Sequence, residues 1–401
     1  MIGFDYDASR IEGLNRADPP LYEPQLAEII GSGLQEGSLQ FSNEAASLRE
    51  CDFVFLAYDT PVNEDDSSDT TILKQSVADL SSVMKDGSVL VVSSQSPVSF
   101  CKELRGRLRE TNASLDLAYS PENLRLGEAI QCYLNPGRII LGTESPAAER
   151  KCRELFSQIQ AEVLCMNLES AEMVKHGINS FLAMSIVFAN HLADICESAG
   201  ARIDDVVRGM KTDPRIGAKA YLSCGIGFSG GTLGRDLRVL SGKNSEREGH
   251  AKIFSVIHEL NGERKNSIIE RIAGILGAIE GRSIGILGLT YKPETSTLRR
   301  SLPLEIANLL MDRAAKVKVY DPKADYGEPG PEYRFKVASS IKEAADGADI
   351  LILLTEWREF KEYDWQHIPK LMRQPFLLDT KNFLMEDQMV ANGFKYFSVG
   401  R

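Results

Sequence analysis

A glycine-rich segment followed by a hydroxyl and a carboxylate is the part of this 401-residue chain best suited to chemistry. Gly225-Ile-Gly-Phe-Ser-Gly-Gly-Thr-Leu-Gly-Arg-Asp236 places Thr232 four residues before Asp236. A threonine hydroxyl needs an adjacent base to act as a nucleophile, and Asp236 is the only obvious candidate nearby. Glycine clusters are also ordinary loops. We therefore expect Thr232 to line a binding loop or donate a hydrogen bond rather than to attack a substrate.

Lys175 and Asn179 form a second candidate pair. Their i, i+4 spacing puts them on one helix face, where an ammonium and an amide can stabilise an oxyanion together. A lone lysine there would be a solvated helix residue, and we expect the neighbouring His176 to pack rather than to act as a base. Cys224 lies close to the glycine segment, but we do not expect it to be a nucleophile.

The composition is that of a soluble protein, with 43% hydrophobic and 26% charged residues. The net charge of −11 gives no basic surface for nucleic acid, and no apolar run reaches the ~18–20 residues of a membrane span. The seven cysteines include no C-x-x-C pair, which favours reduced thiols over disulfides or a metal site. Since no signal peptide is apparent either, we expect a cytoplasmic protein without a metal.

Short apolar runs alternate with helical patterns through the first 165 residues, as in a parallel α/β sheet. These predicted strands begin at Ile2, Phe53, Ser88, Leu115 and Arg138. Apolar residues recur at helical spacing from Ser170 to about Gly200, which predicts one long helix, amphipathic or buried. A second series of predicted strands begins at Ser283, Val317, Ile350 and Phe376.

The end of the first predicted strand, Phe4-Asp5, looks like the end of the second strand of a dinucleotide-binding fold. An acid there hydrogen-bonds the adenosine ribose and favours NAD. The fingerprint G-x-G-x-x-G belongs about 20 residues earlier, so we expect the first strand and the phosphate loop to precede Met1. Their absence would leave a gap in mid-sheet. Because of that structural cost, a mis-assigned start or a trimmed sequence is favoured over a genuine loss.

The sequence therefore predicts an α/β protein with two Rossmann-like parallel-sheet domains joined by a central helical region with a long helix. We assign residues 1–167 to an NAD-binding domain, residues 168–270 to a central helical dimerisation region, and residues 271–401 to a C-terminal α/β domain. A resemblance to a known family, carried by the motifs quoted next, implies that the central region also binds the substrate and that the C-terminal domain binds its nucleotide diphosphate. A long helix after a nucleotide-binding domain often forms a subunit interface, so we expect a homodimer or a larger homo-oligomer.

Taken together, the motifs resemble those of the UDP-glucose/GDP-mannose dehydrogenase family over essentially the whole chain. The glycine segment resembles G-x-G-[FY]-G-G-S-C-[FL]-P-K-D of that family. Further resemblances lie at Leu14–Pro24, Thr60-Pro61, Ser120–Gly127, Ser170–Asn179, Asp213–Gly217, Gly288–Lys292, Arg299, Thr355–Trp357 and Asp379–Asn382.

The resemblance implies an NAD-dependent oxidation at C6 of a nucleotide sugar. Lys175 and Asn179 would face the C6 oxygen, Asp236 with a bound water would take the proton, and Glu122 would position water. The cofactor-binding residues would be Asp5, Thr60, Pro61 and Arg299. The substrate-binding residues would be Arg215, Tyr221, Gly227, Phe228, Gly230 and Lys292.

Departures from the family pattern cluster in the active-site segments. Thr232 stands where the family has its catalytic cysteine, Gly234-Arg235 replaces Pro-Lys, and Gln95 replaces the threonine of S-T-V-P-V. The family thiol traps an aldehyde between two oxidations, so its absence predicts one two-electron step to a ketone or an aldehyde. A secondary C6 carbinol, as in the heptoses and octoses of some antibiotic pathways, would give a ketone without a thiol.

Two other functions stay open. One is a four-electron UDP-glucose or GDP-mannose 6-dehydrogenase that forms a uronic acid with a substitute for the cysteine. The other is a non-catalytic homologue that binds a nucleotide sugar.

Overall fold

The computed structural model describes residues 1–21, 23–58, 60, 69–121, 124, 127–241, 251–328 and 333–401. They form two compact units, Met1–Ile178 and Asn179–Arg401. The predicted α/β architecture is confirmed, since each unit contains a mainly parallel sheet with helices between its strands.

The strands of the N-terminal unit form two separate ladders. β1 (Ile2–Phe4) pairs in parallel with β2 (Gln40–Ser42). The second ladder has the order β3-β4-β5-β6-β7. Its strands are Phe53–Leu56, Val89–Val92, Asp116–Tyr119, Ile139–Thr143 and Val163–Met166. Among the described residues, no ladder joins β1 and β2 to the five-stranded sheet.

One junction of this sheet differs from the parallel pairing that the sequence predicts. β5 and β6 are antiparallel, with Ala118 opposite Thr143, whereas the flanking pairs are parallel. Antiparallel neighbours do not need the long crossover that parallel neighbours require, and an antiparallel pair within a mostly parallel sheet is a common arrangement.

Local sequence signals start several helices of this unit. The Asp7 carboxylate accepts hydrogen bonds from the N–H groups of Ser9 and Arg10, and the Ser145 hydroxyl accepts one from the N–H of Ala148. Such side chains satisfy the first amides of a helix. The described helices are α1 (Ala8–Asn15), α2 (Leu26–Gln35), α3 (Thr71–Ser81), α4 (Phe100–Thr111), α5 (Ala129–Leu134) and α6 (Pro146–Leu155), with 3₁₀ turns at Ala45–Leu48 and Phe156–Gln158.

The long helix α7 (Leu168–Ala199) runs through both units, close to the predicted bounds. By length and composition alone it is apolar enough to cross a membrane, a test that the core helix of a soluble protein also passes. Besides two serines it buries five charged, imidazole or amide side chains, which would be expensive in lipid. They are Glu172, Lys175, His176, Asn179 and Asn190.

Glu172 of α7 fixes the start of α4. Ser99, just before α4, has a left-handed φ of 73° and makes no side-chain cap. The buried Glu172 carboxylate accepts hydrogen bonds from the backbone N–H groups of Ser99 (2.6 Å) and Cys101 (2.8 Å). It therefore satisfies the amides that an N-cap residue normally satisfies. Burial raises the pKa of Glu172, and the hydrogen bonds from Cys101 and Ser99 oppose that increase.

The C-terminal unit combines helices with a second sheet. Its described helices are α8 (Ile203–Thr212), α9 (Thr232–Ser241), α10 (Lys252–Leu276), α11 (Leu302–Asp312), α12 (Ile341–Ala345), α13 (Arg358–Glu362) and α14 (Glu386–Ala391), with a 3₁₀ turn at Pro369–Leu371. The sheet has the order β10-β9-β8-β11-β12-β13, and its described pairs are all parallel. Its strands in chain order are β8 (Ser283–Leu287), β9 (Lys316–Tyr320), β10 (Lys336–Val337), β11 (Ile350–Leu353), β12 (Phe376–Asp379) and β13 (Lys395–Ser398).

Gly288 ends β8 at a point where no other residue fits. Its φ is +86°, and a Cβ atom there would lie 2.5 Å from the Thr355 Cβ and 2.7 Å from the Thr355 nitrogen. The Thr355 hydroxyl in turn donates to the carbonyl of Thr290 (2.7 Å). The segment after β8 is therefore held against the segment after β11.

Gly288→Ala should lower the free energy of unfolding by more than about 2 kcal/mol, because it adds an atomic overlap to a strained backbone conformation. Gly281→Ala is the matched control, since Gly281 also has a positive φ (+72°) but has open space around the added atom. The control should lose only about 1 kcal/mol. Urea titrations measure both, and equal losses would contradict the overlap.

Glu172→Gln should reveal the titration of the buried carboxylate. Because the folded-state pKa of Glu172 is raised from 4.5, ionisation disfavours the folded state. The native protein should therefore lose stability relative to the variant as the pH rises from below 4.5 through the raised pKa. Urea titrations between about pH 4 and 8 measure this difference in the free energy of unfolding. The difference should stop changing at the upper end of this pH range, where the carboxyl is ionised in both the folded and the unfolded state. A pH-independent difference would exclude the titration.

Candidate active site

The carboxyl ends of β3 and β4 are joined by side-chain hydrogen bonds. The buried Thr60 hydroxyl donates to the carbonyl of Gln95 (2.8 Å). The Ser94 hydroxyl donates to the carbonyl of Tyr58 (2.6 Å). Ligands of open α/β sheets bind outside the carboxyl ends of the strands, so these two loops lie where a dinucleotide is expected.

Asp5 follows β1 at the same kind of position. Its carboxylate accepts from the Arg10 guanidinium (2.6 Å) and from the backbone N–H of Asp7 (2.9 Å), one bond on each oxygen. A carboxylate has about four acceptor positions, which leaves capacity for ribose hydroxyls. The residues present therefore fit the adenosine half of NAD.

Helix α7 also contacts the loop after β4. His176 Nε2 lies 2.9 Å from the carbonyl oxygen of Ser96; since a carbonyl can only accept, Nε2 carries the proton. The packing role predicted for His176 agrees with this buried position. Together with Glu172, His176 fixes both ends of residues 96–101 on α7. The sequence analysis assigned no role to Glu172, although this acid stands three residues before Lys175 in the sequence.

Lys175, one residue before His176, is buried on α7 in the N-terminal unit, and Asn179 follows one helical turn later as the first residue of the C-terminal unit. The Asn179 side-chain amide donates to Asp236 Oδ2. Asp236 lies on α9 and is fully buried. The structure thus brings together two of the predicted catalytic residues, 57 positions apart in the chain.

Thr232 is the first residue of α9, one turn before Asp236, and it is exposed. Because Asp236 is buried and already accepts from Asn179, the carboxylate is oriented by the amide. The two side chains therefore have very different environments, although the sequence places them one turn apart.

The glycine segment just before α9 lies partly inside the C-terminal unit. Phe228 is buried among apolar side chains of α7, α9 and α10. Gly227 (φ +102°) and Gly230 (φ +83°) have conformations that favour glycine, and a Cβ atom on Gly230 would lie 3.2 Å from the ring of Tyr291. Lys292 follows, with its ammonium 5.7 Å from the Tyr291 ring centroid. The segment after β8 and the glycine segment are therefore in contact.

The remaining predicted residues are exposed or lie outside the described residues. Arg215 is 88% exposed and pairs with Asp213, Tyr221 is half exposed, and Arg299 is exposed on the C-terminal unit. Glu122 and Pro61 lie outside the described residues. Within the described residues, no group of three or more His, Cys, Asp or Glu side chains is arranged to hold a metal ion.

Family models match three parts of the chain. All three belong to the UDP-glucose/GDP-mannose dehydrogenase family: its NAD binding domain matches residues 1–160, its central domain residues 169–263, and its UDP binding domain residues 285–386. NAD is therefore the cofactor, and a nucleotide sugar is the substrate class.

Relatives of similar length support the same assignment. The UDP-glucose 6-dehydrogenase of Rickettsia typhi is 33% identical over 404 residues, which cover 99% of this chain and 93% of the relative. TuaD, a UDP-glucose 6-dehydrogenase of Bacillus subtilis, is 32% identical over 411 residues, covering 100% of this chain and 88% of the relative.

Solved structures share the architecture. A UDP-glucose dehydrogenase from Pyrobaculum islandicum superposes with a TM-score of 0.87 at 26% identity, covering 100% of this chain and 91% of that protein. The match to a UDP-D-ManNAc dehydrogenase from Pyrococcus horikoshii, with a TM-score of 0.85, 23% identity and coverage of 100% and 93%, supports the fold alone. The chain belongs to the UDP-glucose/GDP-mannose dehydrogenase family and is an NAD-dependent oxidoreductase that acts on a CH–OH group of a nucleotide sugar.

Proposed function

We propose that this enzyme oxidises the C6 carbinol of its nucleotide sugar in a single two-electron step, giving a ketone or an aldehyde. The observation that carries the proposal is the exposed hydroxyl of Thr232, which stands where the resemblance places the family thiol, one helical turn before an Asp236 carboxylate that accepts a hydrogen bond from Asn179. A hydroxyl without an adjacent free base does not trap an aldehyde as a thiolate does.

Lys175, Asn179 and Asp236 would carry the first oxidation. The Asn179 amide has two N–H groups, one of which donates to Asp236, so the other remains for the C6 oxygen. Lys175 would add its positive charge to the developing alkoxide. Asp236, with a bound water, would take the carbinol proton, and Glu122 would position water. NAD, held by Asp5, Thr60, Pro61 and Arg299, would accept the hydride.

The glycine segment and its neighbours would hold the nucleotide sugar, in a central region of residues 168–270 and a C-terminal domain of residues 271–401. The contributing residues would be Arg215, Tyr221, Gly227, Phe228, Gly230 and Lys292. A secondary carbinol at C6, as in a nucleotide-linked heptose or octose of an antibiotic pathway, would end as a stable ketone. A primary carbinol would end as an aldehyde.

Cys224 is the thiol nearest in sequence to the glycine segment, and its environment argues against a four-electron oxidation through it. Burial raises the pKa of Cys224 to about 11, which suppresses the thiolate that would attack an aldehyde. The buried Asn179–Asp236 hydrogen bond argues against the non-catalytic alternative, because a binding protein has no need to orient a base.

We also propose a cytoplasmic homodimer. Three large apolar side chains of α7 are exposed at intervals of seven residues: Phe181 (61%), Phe188 (49%) and Ile195 (62%). Heptad spacing places them in one stripe, which suits a helix–helix interface between two copies. All seven cysteines are free thiols, as expected in a reducing compartment.

The number of NADH molecules formed per sugar consumed tests the single oxidation. UDP-glucose, GDP-mannose and nucleotide-linked heptoses and octoses form the panel. One NADH per sugar, with a ketone or aldehyde product, is expected. Two NADH and a uronic acid would establish the four-electron reaction, and binding without turnover on any member would establish the non-catalytic alternative.

Two variants check the assignment of roles. Lys175→Met should lower kcat by about 10²–10³-fold, because it removes a charge that stabilises the alkoxide. Thr232→Ala should keep most of the turnover and the same NADH stoichiometry. A Thr232→Ala enzyme as inactive as Lys175→Met would mean that the hydroxyl is a nucleophile.

Phe188→Glu should convert the dimer into a monomer, because it puts a charge in the middle of the apolar stripe. Asn266→Glu adds the same charge at an exposed position of another helix, α10, and should stay dimeric. Analytical ultracentrifugation distinguishes the two masses. A native monomer, or dimers of both variants, would exclude this interface.

A further inference from the structure

The glycine segment is a buried loop whose backbone lies outside helices and strands. Gly225, Ile226 and Phe228 are all buried, although they precede α9 in an irregular stretch. Buried backbone N–H and C=O groups need hydrogen-bond partners. Since no ladder supplies them here, the partners must come from elsewhere in the fold.

Three side chains supply them. The N–H of Gly225 donates to Asn190 Oδ1 (2.7 Å), and Arg264 Nε donates to the carbonyl of Gly225 (2.9 Å). The N–H of Phe228 donates to Asn261 Oδ1 (2.8 Å), while Asn261 Nδ2 donates to the carbonyl of Phe228 (3.0 Å). Both backbone groups of both residues are thus bonded to side chains of α7 and α10.

The three bracing side chains are themselves fixed. Asn190, Asn261 and Arg264 are each less than 10% exposed. Arg264 also pairs with Asp194 (2.5 Å), which offsets the cost of burying its charge. Because these side chains are held in place, the loop backbone that bonds to them is held in place too.

Gly227 shows how closely the loop follows these side chains. A Cβ atom at this position would lie 2.6 Å from Asn261 Oδ1. The loop therefore passes against the Asn261 amide with no space for a side chain between them. Beyond the braced part, the N–H of Leu302 donates to Ser229 Oγ (3.1 Å), and the N–H of Gly230 donates to the carbonyl of Arg300 (2.9 Å).

We infer that Asn190, Asn261 and Arg264 are positioning residues that set the shape of the 225–230 loop and, through it, the affinity for the nucleotide sugar. The inference rests on the proposed role of Gly227, Phe228 and Gly230 in substrate binding. None of the three bracing residues needs to touch the substrate. They act through four hydrogen bonds to the backbone of the loop.

Asn261→Asp is the sharpest test, because it preserves shape and the acceptor for the N–H of Phe228 but replaces the donor to its carbonyl by an oxygen. UDP-glucose should bind about 10- to 100-fold more weakly by calorimetry, the range for one unsatisfied buried group. Its KM should rise far more than kcat falls, and the KM for NAD should stay unchanged. Hydrogen exchange of residues 224–231 should accelerate.

Asn266→Asp is the control, since it adds the same charge to an exposed position of α10; it should leave affinity and exchange unchanged. Arg264→Lys is the second variant in case Asn261→Asp fails to fold, since it keeps a charge beside Asp194 but loses the planar donor to Gly225. Its control is Lys265→Met, which removes the neighbouring cation of α10 and its ion pair with Glu305 but none of the four hydrogen bonds to the loop.

The outcomes separate this inference from the proposed function. Faster hydrogen exchange of residues 224–231 with unchanged UDP-glucose affinity overturns the inference. Unchanged hydrogen exchange in both Asn261→Asp and Arg264→Lys overturns it as well. A native protein that binds neither UDP-glucose nor UDP counts against the proposed substrate site. Exchange of residues 224–231 then still decides whether the three side chains brace the loop.

Discussion

The requirement that buried polar groups be hydrogen-bonded governs the candidate active site. Helix α7 buries polar side chains along its length, and four of them bond to segments outside the helix. Glu172 and His176 hold the loop between β4 and α4, Asn179 holds Asp236, and Asn190 holds Gly225. Each part of the helix therefore supports segments of its own unit, the loop after β4 in the N-terminal unit and the glycine segment with α9 in the C-terminal unit.

Much of the fold was predictable because burial leaves a strong local signal. β4 and β11 are fully buried apolar runs, and the long helix shows a clear helical period. β2 and β10 were missed because they are two or three residues long and lie at sheet edges, where few apolar positions are needed. The reversed direction of β6 leaves no trace in the apolar pattern, because β6 is a short buried apolar run like its parallel neighbours.

The site was predictable where a residue belongs to a recognisable motif and unpredictable where it acts across the fold. Asn179 and Asp236 stand in motifs, and the structure brings them into contact. Asn261 and Arg264 stand in no motif that the sequence analysis recognised, and they reach the loop from 33 and 39 residues away. A lone Asn and Arg within a helical pattern look like solvated residues until their burial is known.

The way the glycine loop is held also bears on how such an enzyme can change over evolutionary time. A loop fixed through its side chains loses its shape when those side chains mutate. Here Gly225 and Phe228 are fixed through their backbone groups, which every amino acid except proline provides in full. Side chains at neighbouring positions such as Gly231 and Thr232 can therefore be exchanged without removing the bonds that hold Gly225 and Phe228.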